Sequence, residues 1–135
     1  MRRRIFPSWT RSGRSRWSAP QRFVVTDFRK AKTRPALVIQ NDIGNRFGNT
    51  VIVALISSSV PAKPYPMHYP IAYPSPEAKA AGLKAASVIK METIVTLPKR
   101  AILRRLGSLP GEAAQEANEA LAFSLDLRLA SPGGR

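Results

Sequence analysis

Five residues of this 135-residue chain combine side-chain type and spacing in ways that can do chemistry. Arg34 and Ser57 flank a block of two short apolar runs, Ala36–Gln40 and Val51–Ile56. If those runs pair as antiparallel strands, a guanidinium and a hydroxyl come to lie near each other. Lys90 and Glu92 sit two apart in the run Ser87–Val95, on the strand face that alternation also assigns to Val88 and Ile94. Alternation leaves two readings of that pair open: a solvated ion pair, or an acid–base pair in a groove. His68 is the chain's one histidine, so it cannot by itself build a histidine-rich zinc site. In its proline-rich surroundings it reads first as an exposed or structural residue.

The elements that must position these residues are legible as short strands. Val- and Ile-rich runs bounded by Gly and Asn are a strand signature, and the ten residues between Gln40 and Val51 form a polar loop containing Gly44 and Gly48. Phe23–Phe28 reads as the end of an earlier strand. Pro35 biases Arg34 to an extended backbone and marks the start of the next one. Pro61–Pro76 holds six of the twelve prolines, a density that only a loop or an edge segment tolerates. Their irregular spacing does not suit a polyproline ligand. Glu77–Ala81 fits one helical turn closed by Gly82. Pro98–Arg100 forms a turn, and Ala101–Leu109 a basic strand with a bulge at Gly107. From Pro110 onward, Ala113, Ala117, Leu121 and Leu125 recur at helical spacing, giving a packing helix.

Size and composition bound the rest. The chain is one domain with a single modest core, expected over residues 23–130 and followed by a flexible tail at 131–135. There are no cysteines, so disulfides and thiolate metal sites are excluded. No carboxylate cluster suggests a hard-cation site, and no cofactor is called for. No apolar run is long enough to span a bilayer, so the expectation is a soluble, cytoplasmic protein without a membrane partner. The formal charge is +14. Residues 1–22 carry seven arginines and no acid, and read as a disordered basic arm without the apolar stretch of a signal peptide. Its Trp9 and Trp17 have the chemistry to stack on bases, although an extension with no selected role is the preferred reading. The remainder holds fifteen Lys and Arg against eight Asp and Glu, so the domain itself favours a polyanion such as nucleic acid.

The order of motifs resembles the MazF/PemK family of toxins of type II toxin–antitoxin modules. The likeness runs through Thr33–Phe47 (TRPALVIQNDIGNRF), Thr50–Ser57 (TVIVALIS), His68–Ile71, Gly82–Lys84, Ser87–Glu92 (SVIKME), Leu106–Leu109 and the helix Glu112–Leu125. It implies a mainly β (α+β) fold, a small SH3-like β-barrel with a C-terminal helix, acting as a homodimer. It also implies a metal-independent endoribonuclease that cuts single-stranded RNA and is neutralised by a cognate antitoxin.

On that resemblance, Arg34 matches the family's catalytic arginine and Ser57 stands where the family often has threonine. Glu92 and Lys90 match an acidic and a basic position of the PemK branch. Metal-free RNA cleavage needs a base for the 2′-hydroxyl, charge stabilisation at phosphorus and an acid for the leaving oxygen. Glu92 is the candidate base. Arg34 and Lys90 are the charge stabilisers, Ser57 a hydrogen-bond donor, and His68 a proton donor. A two-histidine mechanism is excluded within one subunit, since the chain has one His. Arg29, Lys30, Lys32, Arg46 and Lys63 are candidate phosphate contacts without base specificity. The arginine-rich head replaces the family's usual opening, so the expectation is an incomplete first strand. Two alternatives follow: a CcdB-like gyrase poison, or a catalytically inactive RNA-binding remnant.

Overall fold

The computed structural model describes residues 21–29 and 32–127, without the side chains of residues 21, 27–29 and 32. Residues 1–20 of the expected basic arm, the tail 131–135, Lys30, and the side chains of Arg29 and Lys32 therefore lie outside the described residues. In chain order the elements are β1 (Gln21–Arg29), β2 (Lys32–Val38), α1 (Asp42–Phe47), β3 (Thr50–Ser57) and β4 (His68–Ile71). They continue with α2 (Pro76–Ala81), β5 (Ser87–Pro98), a 3₁₀ turn (Lys99–Ala101), β6 (Ile102–Leu109) and α3 (Gly111–Ser124). All strand pairings are antiparallel, in the order β4-β5-β3-β2-β1-β6. The mainly β fold with a C-terminal helix is as expected. The sheet is open, however, because no ladder joins β4 to β6 among the described residues.

The expectation of an incomplete first strand fails. β1 is nine residues long and an inner strand, paired with β2 from Phe23↔Leu37 and with β6 from Gln21↔Leu109. Phe23 is fully buried in the main core, which anchors the strand from its beginning. The structural ground for an inactive remnant falls away with it.

The two faces of the sheet bury different clusters. Phe23, Leu37, Ala54, Ile56, Ile89 and Met91 pack beneath α2 and α3, whose contacts are small alanines, Ala78 and Ala81 on one and Ala113, Ala117 and Ala120 on the other. Small residues let both helices approach the sheet closely. The second face holds Val24, Ala36, Val38, Val51, Val53 and Leu55.

Two local departures shape the site. β2 begins three residues before Pro35, which sits inside it. Proline is accommodated because the β2–β3 ladder ends at Ala36↔Leu55, leaving β2 an edge on that side from Pro35 outward. Second, the expected polar loop contains α1, whose N-cap Asn41 accepts the Gly44 N–H at 2.7 Å. The helix buries no residue, so no apolar periodicity announces it. The proline-rich stretch does hold an edge strand, β4, as its composition suggests.

Candidate functional site

Register brings the polar residues onto one sheet face. His68 pairs with Lys90, Lys90 with Leu55, and Leu55 with Ala36, so these four form a row across β4, β5, β3 and β2. Two residues further along, Ser57 faces Val88, while the β2–β3 ladder stops at Ala36↔Leu55 and Arg34 stands two residues beyond it on β2. Arg34, Ser57, Lys90 and His68 thus share the face of Leu55 and Ala36.

Glu92 reaches the group by a different route. Ala54 pairs with Ile94 but the next β3 residue, Leu55, pairs with Lys90, so Met91, Glu92 and Thr93 bulge out of the ladder. Neighbouring β3 residues point to opposite faces, and so Lys90 and Ile94 do too. The alternation that put Val88, Lys90, Glu92 and Ile94 on one face is corrected at Ile94. The bulge is tied down on both sides: the Ser124 hydroxyl of α3 donates to the Met91 carbonyl at 2.7 Å, and the Met91 N–H donates to the Met67 carbonyl at 3.2 Å.

Within this frame His68 Nε2 lies 3.0 Å from Glu92 Oε2. The other ring nitrogen, Nδ1, accepts the Tyr65 N–H at 3.2 Å, so a neutral imidazole carries its proton on Nε2 and donates it to Glu92. The His68 side chain is 8% exposed and that of Glu92 39%, so the imidazole is enclosed while the carboxylate stays accessible. Burial alone pushes the Glu92 carboxyl up. The His68 hydrogen bond, a bond to Glu92's own backbone, and the electrostatic influence of His68 and Lys90 outweigh it. The net position is below the ordinary carboxylate value.

Two grooves flank the end of β3. One, of about 580 Å³, is walled by His68, Lys90, Glu92, Tyr65 and Ser59. The other, of about 420 Å³, opens where β2 and β3 part beyond Pro35 and is lined by Arg34, Ser58, Lys84 and Ser87. Alternation puts Arg34 on the face of Ala36 and Leu55, but the groove it lines is otherwise walled by Pro35, Ile56, Leu83 and Ser87 from the main-core side, so the His68–Glu92 pair and Arg34 line different grooves. Its backbone is held by Thr26, a fully buried residue whose hydroxyl donates to the Arg34 carbonyl at 3.1 Å. At the end of β3, the Ser57 hydroxyl oxygen accepts the Ser59 N–H at 3.0 Å, leaving its own hydrogen free to donate. A third groove, about 700 Å³, lies between β4 and α3 and is lined by Glu77, Glu116 and Glu119. Burial, with Glu116 and Glu77 nearby, pushes the Tyr69 hydroxyl there up to about 12. Carboxylate walls repel a polyanion, so that groove is no place for one.

The remaining candidates divide. Lys63 is exposed in the segment between β3 and β4 that walls the first groove. Arg46, in α1, sits over the exposed Phe47 ring with its guanidinium carbon 5.8 Å from the centroid. α1 caps the opposite end of the hairpin, about 20 Å along the strands from Arg34. Four contributors were not singled out as site residues by the sequence: Thr26, Tyr65 through its backbone, and Lys84 and Ser124, which lie inside motifs of the resemblance without an assigned role. The break in apolar spacing between Met91 and Ile94 was the available sign of the bulge.

Comparison with known proteins agrees with this architecture. The chain is 42% identical over 94 residues to endoribonuclease EndoA of Bacillus subtilis, covering 70% of this chain and 77% of that protein. The Mycobacterium tuberculosis toxin MazF-mt6 superposes with a TM-score of 0.65 at 22% identity, over 82% of this chain and all of that one. A mycobacterial endoribonuclease solved in complex with its cognate antitoxin gives 0.64 at 20% identity, over 81% and 95%. At such identities these two structures speak to the fold. The family model of the PemK-like, MazF-like toxins matches residues 21–125. The chain belongs to that family of toxins of type II toxin–antitoxin systems.

Proposed function

We propose that the protein is the toxin of a type II toxin–antitoxin pair and an endoribonuclease that cuts single-stranded RNA by attack of a 2′-hydroxyl on the adjacent phosphate. The observation that carries the mechanism is the His68–Glu92 pair at 3.0 Å, with Lys90 registered beside it on the face that also holds Arg34 and Ser57.

Glu92, ionised and accessible, takes the proton of the 2′-hydroxyl. The 2′-oxygen bonds to phosphorus, and negative charge builds on the non-bridging oxygens. The Arg34 guanidinium, whose fork geometry suits phosphate, and the free Ser57 hydrogen stabilise that charge. The bond to the 5′-oxygen then breaks, leaving a 2′,3′-cyclic phosphate, and the leaving oxygen takes a proton. The geometry argues against His68 as that donor. Its Nδ1 is occupied as an acceptor and its Nε2 proton is committed to Glu92, so giving the proton up would leave an imidazolate. His68 is better placed as the residue that orients Glu92. The Lys90 ammonium supplies the proton while stabilising charge.

Each task is covered by a side chain, so the reaction needs no metal. The same reading supplies the partners: RNA as substrate, a cognate antitoxin as inhibitor, and a second copy in a homodimer. No helix among the described residues is long and apolar enough to cross a membrane, and an RNA target is consistent with a cytoplasmic protein. Incubation of the purified protein with a long single-stranded RNA in excess chelator tests the proposal. Cleavage to products with cyclic phosphate ends is expected, and Arg34→Ala should abolish it. Intact RNA with folded protein refutes the nuclease. Gyrase-dependent DNA breaks with intact RNA would point to a CcdB-like poison.

A further inference from the structure

The groove that receives Arg34 holds a second cation to which the mechanism gives no role. Lys84 is exposed on the turn between α2 and β5 and lines the wall formed with Leu83 and Ala85. The rest of that lining supplies the hydroxyls of Thr33 and Ser58 and no carboxylate. Nor does Lys84 have an ion-pair partner among the described residues. Two cations and two hydroxyls around one open groove form an anion site by charge and hydrogen-bonding capacity alike.

The turn that carries Lys84 is rigidly mounted. α2 ends at Gly82, in the left-handed region at φ 75, with the Gly82 N–H donating to Lys79 at 3.2 Å and the Leu83 N–H to Ala78 at 3.0 Å. A side chain at Gly82 would put its Cβ 2.4 Å from the Leu106 carbonyl oxygen, so that turn has one way to lie against β6. Leu83 is buried in the core, and on the other side the Ser87 hydroxyl donates to the Ala85 carbonyl at 2.9 Å. Lys84 is thus held between two anchored residues, and a cation mounted in this way loses little backbone freedom when an anion arrives.

We propose that the Arg34–Lys84 groove is a second phosphodiester subsite for the RNA strand whose cleavage is proposed above, with Lys84 as its positioning residue. The inference rests on that reading of the neighbouring groove. The end of β3 links the two: Ser59 walls the His68–Glu92 groove, and Ser58 walls this one. Ser58 and Ser59 are consecutive, so the two grooves, which open on opposite faces of the sheet, meet at the end of β3, and a strand rounding that end passes from the His68–Glu92 groove to Arg34 and Lys84. A lysine acts there as a point charge, so it fixes register and carries no preference for base.

Binding of a short fluorescein-labelled 2′-O-methyl RNA, which lacks the attacking hydroxyl, tests this by anisotropy across a salt series. One lost phosphate contact lowers the slope of log affinity against log salt by about 0.7 for a single strand. Lys84→Gln should show that decrease and roughly three- to tenfold weaker binding at low salt. In cleavage of natural RNA it should raise KM and leave kcat in place, and Lys84→Arg should restore both measures. Lys79→Gln removes an exposed lysine of α2 outside both grooves and should leave the slope unchanged. A wild-type slope in Lys84→Gln, or an equal drop in Lys79→Gln, overturns the subsite. Wild-type cleavage measured in parallel separates this failure from that of the nuclease reading: RNA cut normally with an unchanged Lys84→Gln slope sinks the subsite alone.

Discussion

Replacing Glu92 by glutamine isolates its proposed work as a base. The amide keeps an oxygen to accept the His68 Nε2–H, so the 3.0 Å contact and the bulge geometry survive, but it cannot accept the 2′-hydroxyl proton. The carboxylate is exposed, so the change should cost less than about 0.5 kcal/mol of stability. General base catalysis contributes about 10²–10⁴-fold. Here the carboxyl lies below its ordinary value, which keeps it fully ionised at neutral pH but makes it a weaker proton acceptor. That places the expected loss in the lower half of the range, about 10²–10³ in kcat, or about 2.7–4.1 kcal/mol of transition-state stabilisation. Binding should move the other way. Removing a negative charge from a groove that receives a polyanion leaves affinity unchanged or tighter. The assay is single-turnover cleavage at saturating enzyme in chelator, with circular-dichroism melting to check the fold. A loss under tenfold, or an effect confined to KM, refutes Glu92 as the base.

Two further perturbations probe the supports of the site. His68→Ala removes the hydrogen bond that lowers the Glu92 carboxyl, so its pKa should rise towards the ordinary value. Since the base must be ionised, activity is lost as pH falls through that pKa, and the acid limb of kcat/KM should therefore move to higher pH; an unmoved limb removes His68 from the orienting role. Gly107→Ala tests the seat of the Lys84 turn, because the added Cβ would lie 2.1 Å from the Ala80 carbonyl oxygen and force α2 off β6. Chain entropy by itself would make this substitution stabilising. The clash should instead cost about 3 kcal/mol and lower Tm by more than about 12 °C, and an unchanged melting curve would show that α2 yields freely.

How far the sequence discloses such a site depends on which physical signal each part leaves. The β2–β3 hairpin was legible because two apolar runs of strand type imply a pairing, although the ladder stops at Ala36↔Leu55, short of the polar residues at their ends. Strand boundaries drifted where proline is tolerated for a tertiary reason: Pro35 looked like a start, but it lies inside β2 because the ladder to β3 stops beside it. α1 left no periodic trace, since a helix that buries nothing has no apolar face to write into the sequence. The position of Glu92 was the hardest to read. Alternation treats Val88, Lys90, Glu92 and Ile94 as equivalent, whereas the bulge at Met91–Thr93 reverses the parity between Lys90 and Ile94. Its stability comes from Ser124, a residue 33 positions away whose hydroxyl satisfies a carbonyl displaced from the ladder. A two-residue period contains no term for such a partner. It does register the insertion itself, as apolar residues at 89 and 91 give way to 94, 95 and 97. The carboxylate proposed as the base stands at that phase break, so the place where periodicity fails is also where a strand can turn a charged side chain towards a histidine on the next strand.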